Sequence, residues 1–119
     1  MRTGDGAIVE EIFSPNHHDH VSGWRGRDIY RTARRWIEGT VADVRLDTHA
    51  IMSEGDRVMI WVTLHGRHVG NAFPFLAGRP VTGRHLDAEA VHIFRISDGL
   101  LTEHWAVRND LALIRQIDS

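Results

Sequence analysis

Three histidines stand where apolar or loop residues would be expected. His92 falls among Leu86, Ala88, Ala90, Phe94 and Ile96 in an alternating run. His68 closes a second such run, Val58, Ile60, Val62 and Leu64. His20 ends a polar cluster, Asn16-His17-His18-Asp19-His20. An imidazole titrates near neutrality, so one facing an apolar surface is equipped for general acid–base work. The same placement also suits a core histidine hydrogen-bonded to a neighbour. Two such histidines on one sheet, beside a polar cluster, fit a small-molecule site with apolar walls and a few convergent polar groups. Trp36, Trp61, Phe73, Phe75 and Trp105 can supply flat walls or ordinary core. His18 and His20 would share a side of an extended segment, as metal ligands do, but Asp19 would face away, and no metal is expected.

The residue inventory narrows the chemistry further. The 119 residues contain nine histidines, 16 carboxylates and no cysteine, and all 14 basic side chains are arginine. Without Cys there is no thiol nucleophile or zinc–thiolate site, and without Lys there is no Schiff base or P-loop lysine. The net charge of −2 and scattered arginines argue against a nucleic-acid partner. Arg31, Arg34 and Arg35 gather on one predicted helix and read as a solvated face. No apolar run approaches membrane-spanning length, and Met1 to Gly6 lacks a signal-peptide pattern, so a cytoplasmic protein is expected. The length suits one domain over residues 1–119.

These side chains need elements to position them. Ile29, Ala33, Trp36 and Ile37 recur with helical period between Arg27 and Glu38, and Gly39 ends that helix. Residues 7–13 are too short for a stable helix alone, and Ser14-Pro15-Asn16 interrupts them. Beyond Gly39 the period becomes two. Strands are predicted over Val44–Ser53, Arg57–His68, Arg84–Ile96 and Leu100–Arg108, turned at Glu54-Gly55-Asp56 and Ser97-Asp98-Gly99. A long irregular connection spans residues 70–83, and Asn109 is placed to cap a final short helix. The fold class is α+β: a curved antiparallel sheet wrapped round helices, cone-shaped, with a central pocket.

The run from Val91 to Ile117 resembles the C-terminal half of SnoaL-like polyketide cyclases. Phe13-Ser14-Pro15 with Asp19-His20, Glu54 to Val58, Gly66-Arg67-His68 and Thr82-Gly83-Arg84 resemble the same family. The resemblance implies the cone shared with ketosteroid isomerase and nuclear transport factor-like proteins. It implies an intramolecular aldol ring closure on an aromatic polyketide ester, by acid/base catalysis without cofactor, and a homodimer. It puts His20 in the place of an early pocket histidine and His92 on the third predicted strand. Many relatives carry Asp directly after the tryptophan matched by Trp105, or four residues on; here Ala106 and Asn109 hold those places. The nearest carboxylate is Asp110.

Asp110 and His92 are therefore the expected catalytic residues. His20, Trp36, His68, Phe73, Trp105 and Asn109 are the expected substrate contacts. The substrate is expected to be a small, mostly apolar or aromatic carbonyl compound, for cyclase or related isomerase or hydratase chemistry. The alternative is a non-catalytic ligand-binding or dimeric structural module of the same fold. Relatives also carry a long amphipathic helix before the Phe13 segment, and only about a dozen residues stand there in this sequence, so that helix is expected to be truncated.

Overall fold

A computed structural model describes residues 12–118. Its elements run β1 (Phe13–Asp19), α1 (Asp28–Glu38), β2 (Val41–Glu54), β3 (Arg57–His68), a 3-10 turn (Pro74–Leu76), β4 (His85–Ser97), β5 (Leu100–Arg108) and α2 (Asp110–Asp118). The five strands form one sheet in the order β1-β5-β4-β3-β2. The four predicted strands are β2 to β5, and the predicted helices are α1 and α2. The truncated N-terminal helix expected from the sequence would fall in residues 1–11, outside the described residues.

One strand was not expected. β1 holds Ser14-Pro15, which reads as an interruption, and pairs parallel with β5 rather than antiparallel. The sheet is therefore mixed. Proline is tolerated here because β1 is an edge strand, whose outer N–H positions need no ladder partner. The remaining pairs are antiparallel. Between β4 and β5, Asp98 and Gly99 both take positive φ, 52° and 76°, as a two-residue hairpin turn of the primed type demands. A bulge at Arg95/Ile96 then shifts the pairing by one residue, so that His92 faces Ala106 and Phe94 faces His104. In β2, breaks in register at Ala42/Arg45 and Thr48/Ala50 bend the strand.

Directly paired residues share a face, so the ladder separates the two sides of the sheet. Leu86, Ala88, Ala90, His92 and Phe94 lie on the inner face with Leu64, Val62, Ile60 and Val58. At one end of that face the core is Val41, Leu76, Leu86, Leu113 and Ile117, with Ile37, Leu64, Phe73, Phe75 and Ala88 against it. α2 supplies Leu113 and Ile117, and its first turn is capped by Asn109, whose Oδ1 accepts the Ala112 N–H at 3.2 Å. α1 covers the other end through Ile29 and Tyr30, with the Tyr30 ring stacked on Phe13 at 3.9 Å. Among the described residues no helix is long and apolar enough to cross a membrane.

Candidate active site

Beneath α1 the inner face turns polar, and it does so in a chain of three residues. The Asp19 carboxylate, at the end of β1, meets His104 of β5 with Oδ1 2.7 Å from Nδ1. His104 Nε2 in turn lies 2.8 Å from His92 Nδ1 on β4. The pairings Asp19↔His104 and Phe94↔His104 create this line, because they put one residue from each of three adjacent strands on the same face.

Donors and acceptors follow from the carboxylate end. A carboxylate only accepts, so His104 donates from Nδ1. With His104 neutral, its Nε2 then accepts from His92 Nδ1–H. His92 is left with a lone pair on Nε2, which meets no hydrogen-bond partner among the described residues. Such a chain can take a proton at His92 Nε2, pass a proton from His92 Nδ1 to His104, and place the positive charge beside Asp19. The reverse transfer makes His92 an acid.

The electrostatics suit both ends. Asp19 is only 4% exposed, and burial alone would raise its carboxyl. Hydrogen bonds from His104 and Ser22 outweigh that effect and hold it well below the ordinary range. Ser22 gives a hydroxyl bond at 2.6 Å and an N–H bond at 3.2 Å, and Val21 N–H adds one at 3.3 Å. His92 is lowered to about 4, first by burial and then by the charges of His104 and Arg108. It is therefore the free base at neutral pH.

A second pair braces the first. His17, with no exposed surface, directs Nδ1 at the Leu101 carbonyl, 2.7 Å away. A carbonyl cannot donate, so His17 Nε2 is the acceptor and the Tyr30 hydroxyl donates to it. Burial lowers His17, against the effect of the Leu101 bond, and raises Tyr30 further than the Asp19 charge does alone. The Tyr30 proton is thus spent on His17, and the ring packs edge-on to His104 at 5.9 Å.

The residues picked from the sequence divide sharply. His92 lies in the chain. Asp110 does not join it; its Oδ2 accepts from Arg108 Nη2 at 2.9 Å, and Arg108 stands on the inner face opposite Ala90. Trp105 points away, because alternation puts it on the face opposite His104. His20 follows it there, stacked on the indole at 4.7 Å and bonded to Glu103 at 3.0 Å. His68 is 1% exposed, and Asn71 at 2.7 Å and Thr82 at 3.0 Å occupy both its ring nitrogens. It staples the 70–83 connection to β3 and has no ring nitrogen left for a ligand. Trp36 and Phe73 pack on each other at 5.7 Å beside the core, and Asn109 is used as the α2 cap.

Asp19 and His104 went unrecognised as site residues. Half of a signal for His104 was available: if Glu103, Trp105 and Val107 take one face, His104 takes the other, but the bulge at Arg95/Ile96 that sets it beside Phe94 is not marked in the sequence. Nothing comparable marks Asp19, since the parallel pairing that delivers it joins residues 85 positions apart.

Residues 1–117 match the SnoaL-like polyketide cyclase family. The chain belongs to that family. It is 31% identical over 111 residues to the aklanonic acid methyl ester cyclase DauD of Streptomyces sp. (strain C5), covering 92% of this chain and 66% of that protein. It is 31% identical over 108 residues to the aklanonic acid methyl ester cyclase DnrD of Streptomyces peucetius, covering 90% of this chain and 72% of that protein. The chain thus spans about two thirds of the first relative's length. TsrD from Streptomyces laurentii superimposes with a TM-score of 0.81 at 32% identity, over 95% of this chain and 82% of that one. Within this SnoaL-like chain the position after Trp105 is Ala106, directly across the ladder from His92. The carboxylate resemblance expects there is missing, and Asp19 approaches the same imidazole from the other side, through His104.

Proposed function

We propose that this protein is a cofactor-independent cyclase that closes a ring by intramolecular aldol addition in a small polyketide methyl ester of the aklanonic acid type. The observation that carries the proposal is the Asp19–His104–His92 chain, which ends in an imidazole lone pair on the inner face. His92 Nε2 takes a proton from the carbon between the substrate's carbonyl groups, and the C–H electron pair becomes an enolate. The enolate carbon attacks a ketone carbon of the same molecule. The C–C bond forms, and the carbonyl π pair moves to oxygen as an alkoxide. Returning the proton from the His92–His104 pair makes the alcohol, so the product is an isomer of the substrate and the enzyme ends as it began.

Each protein group then has one task. Asp19 stabilises the imidazolium formed on His104. Arg108, held by Asp110, offers positive charge to the enolate and alkoxide oxygens. Phe94, Ile60 and Ala106, beside His92 on the inner face, line the substrate. Positioning two ends of one molecule supplies much of the acceleration, which is why no metal or organic cofactor is needed.

A homodimer is part of the proposal. It is supported by the outer sheet face, which carries Met59, Trp61, Val91, Ile93, Trp105 and Val107, with Val107 72% exposed. Val107→Arg is expected to leave a monomer by light scattering, and an unchanged mass in that variant would remove this face as the contact.

The catalytic proposal is tested by incubating the protein with an aklanonic-type methyl ester in the presence of EDTA. An isomeric product of equal mass and changed absorption is expected. His92→Gln is expected to lower kcat by roughly 10²–10⁴, the scale of one acid–base group. Aromatic ligand binding without turnover would favour the non-catalytic module, which the missing acid at Ala106 otherwise supports.

A further inference from the structure

A second group of histidines lies on the opposite face from His92. His65 of β3 pairs directly with Asp87 of β4, and His85 stands two residues before Asp87 on the same side. His65 Nδ1 and His85 Nε2 converge on one oxygen, Asp87 Oδ1, at 2.5 and 2.6 Å. The three potential ligand atoms lie within 4.8 Å of one another.

The contact behind His65 singles this group out. Its other nitrogen, Nε2, meets Asp47 Oδ2 at 2.8 Å, and Arg45 holds Asp47 through Oδ1 at 2.8 Å. A neutral imidazole has one N–H. If Nε2–H donates to Asp47, the Nδ1 lone pair faces a carboxylate oxygen at 2.5 Å, an arrangement that needs a second proton or a cation between them. A carboxylate accepting from the far nitrogen of a histidine is also the arrangement that orients metal-bound imidazoles. The third side chain is equally fixed. Gln116 of α2 bonds the Asp87 backbone twice, accepting from its N–H at 2.8 Å and donating to its carbonyl at 2.9 Å.

We infer that His65 Nδ1, His85 Nε2 and an Asp87 carboxylate oxygen bind one divalent transition cation of the zinc type. Two imidazoles and one carboxylate suit a borderline ion in tetrahedral coordination, with metal–ligand distances near 2.0–2.2 Å. Both imidazole nitrogens now stand 2.5–2.6 Å from Asp87 Oδ1, and rotation of the exposed His85 and Asp87 side chains opens these gaps to the roughly 3.3 Å edge of a tetrahedral site. The fourth position opens on a recess of about 360 Å³ that His65 and Asp87 line together with Trp61, Glu89 and Gln116. The cation clips β3 to β4 and, through Asp87 and Gln116, to α2. It takes no part in proton transfer at His92, which lies across the sheet.

His18, His20 and Glu103 form a comparable group, but positive charge opposes a cation there. Arg95 Nη1 holds Glu103 Oε2 at 2.6 Å, and the His18 imidazole is lowered by desolvation and by the Arg25 charge. The two groups are separable by mutation.

Equilibrium dialysis of the untagged chain against zinc chloride tests the site, with visible absorption of the cobalt(II) form reporting four-coordination. One zinc per chain is expected. His85→Ala, at an exposed position, is expected to abolish saturable binding without loss of the fold, and His18→Ala to leave it unchanged. Asp47→Asn is expected to weaken it by roughly 10–100-fold, as loss of an orienting carboxylate does. The absence of saturable zinc binding in the unmodified chain would overturn the inference. So would binding that survives His85→Ala or disappears in His18→Ala.

Discussion

Asp19 and His104 are 85 positions apart in sequence, yet their side chains meet at 2.7 Å as direct partners across the parallel pairing of β1 with β5. Both are nearly inaccessible to solvent, at 4% and 7% exposure. The Asp19 carboxylate thus reaches the His92 imidazole indirectly, through a second histidine. It comes from the first strand, and not from the position after Trp105 where the sequence resemblance leads one to expect an acid.

The His92 environment gives stability a defined pH dependence. Its folded-state pKa is lowered from 6.5 to about 4, so between those values the unfolded chain binds more protons than the folded one. Stability therefore rises with pH through that window and is lost on acidification from about 6.5 toward 4. Asp19 acts lower: its contribution is complete above the ordinary value of 3.8 and falls away as pH drops below it. Melting temperatures of the unmodified protein and His92→Gln, measured from pH 7 to 4, should converge at the acid end. Parallel curves would show that His92 is not the group responsible.

Tyr30 is expected to matter for the fold more than for turnover. Tyr30→Phe keeps the stack on Phe13 but leaves buried His17 Nε2 without its donor. Stranding a buried acceptor costs about 1–3 kcal/mol. Denaturant unfolding should show that loss, while kcat at saturating substrate stays within a few-fold of the parent. A large drop in kcat with intact stability would instead make Tyr30 a proton donor to substrate.

Much of the scaffold was legible because it obeys period two or 3.6. The runs ending at His68 and Arg108 were bounded correctly by turn chemistry, and Asn109 declared itself as a cap. β1 was hidden by Pro15, which is harmless only because the strand turns out to be an edge. The site was less legible for a related reason. Trp105 drew attention as an aromatic wall, yet face alternation assigns it to the outside and its neighbour His104 to the inside. His68 looked like a misplaced polar residue, and only the fold of the 70–83 connection, with Asn71 and Thr82 brought to its two nitrogens, explains it as a buried staple. Asp110 was the nearest acid in sequence, but Arg108, two residues away, claims it. Proximity along the chain was a poor guide to the base, since the carboxylate that serves it arrives from the first strand, distant in sequence but adjacent to β5 in the sheet.

The account rests on Asp19 supplying, through His104, the negative charge missing at Ala106. Initial rates of ester cyclisation in Asp19→Asn and in Asp19→Asn/Ala106→Asp test it most directly. The single variant should lose about tenfold or more in kcat, because a neutral amide no longer supports charge on His104. The double variant should recover part of that loss, because the new carboxylate stands directly across the ladder from His92. A single variant that turns over at the parent rate, while remaining folded, would contradict the account.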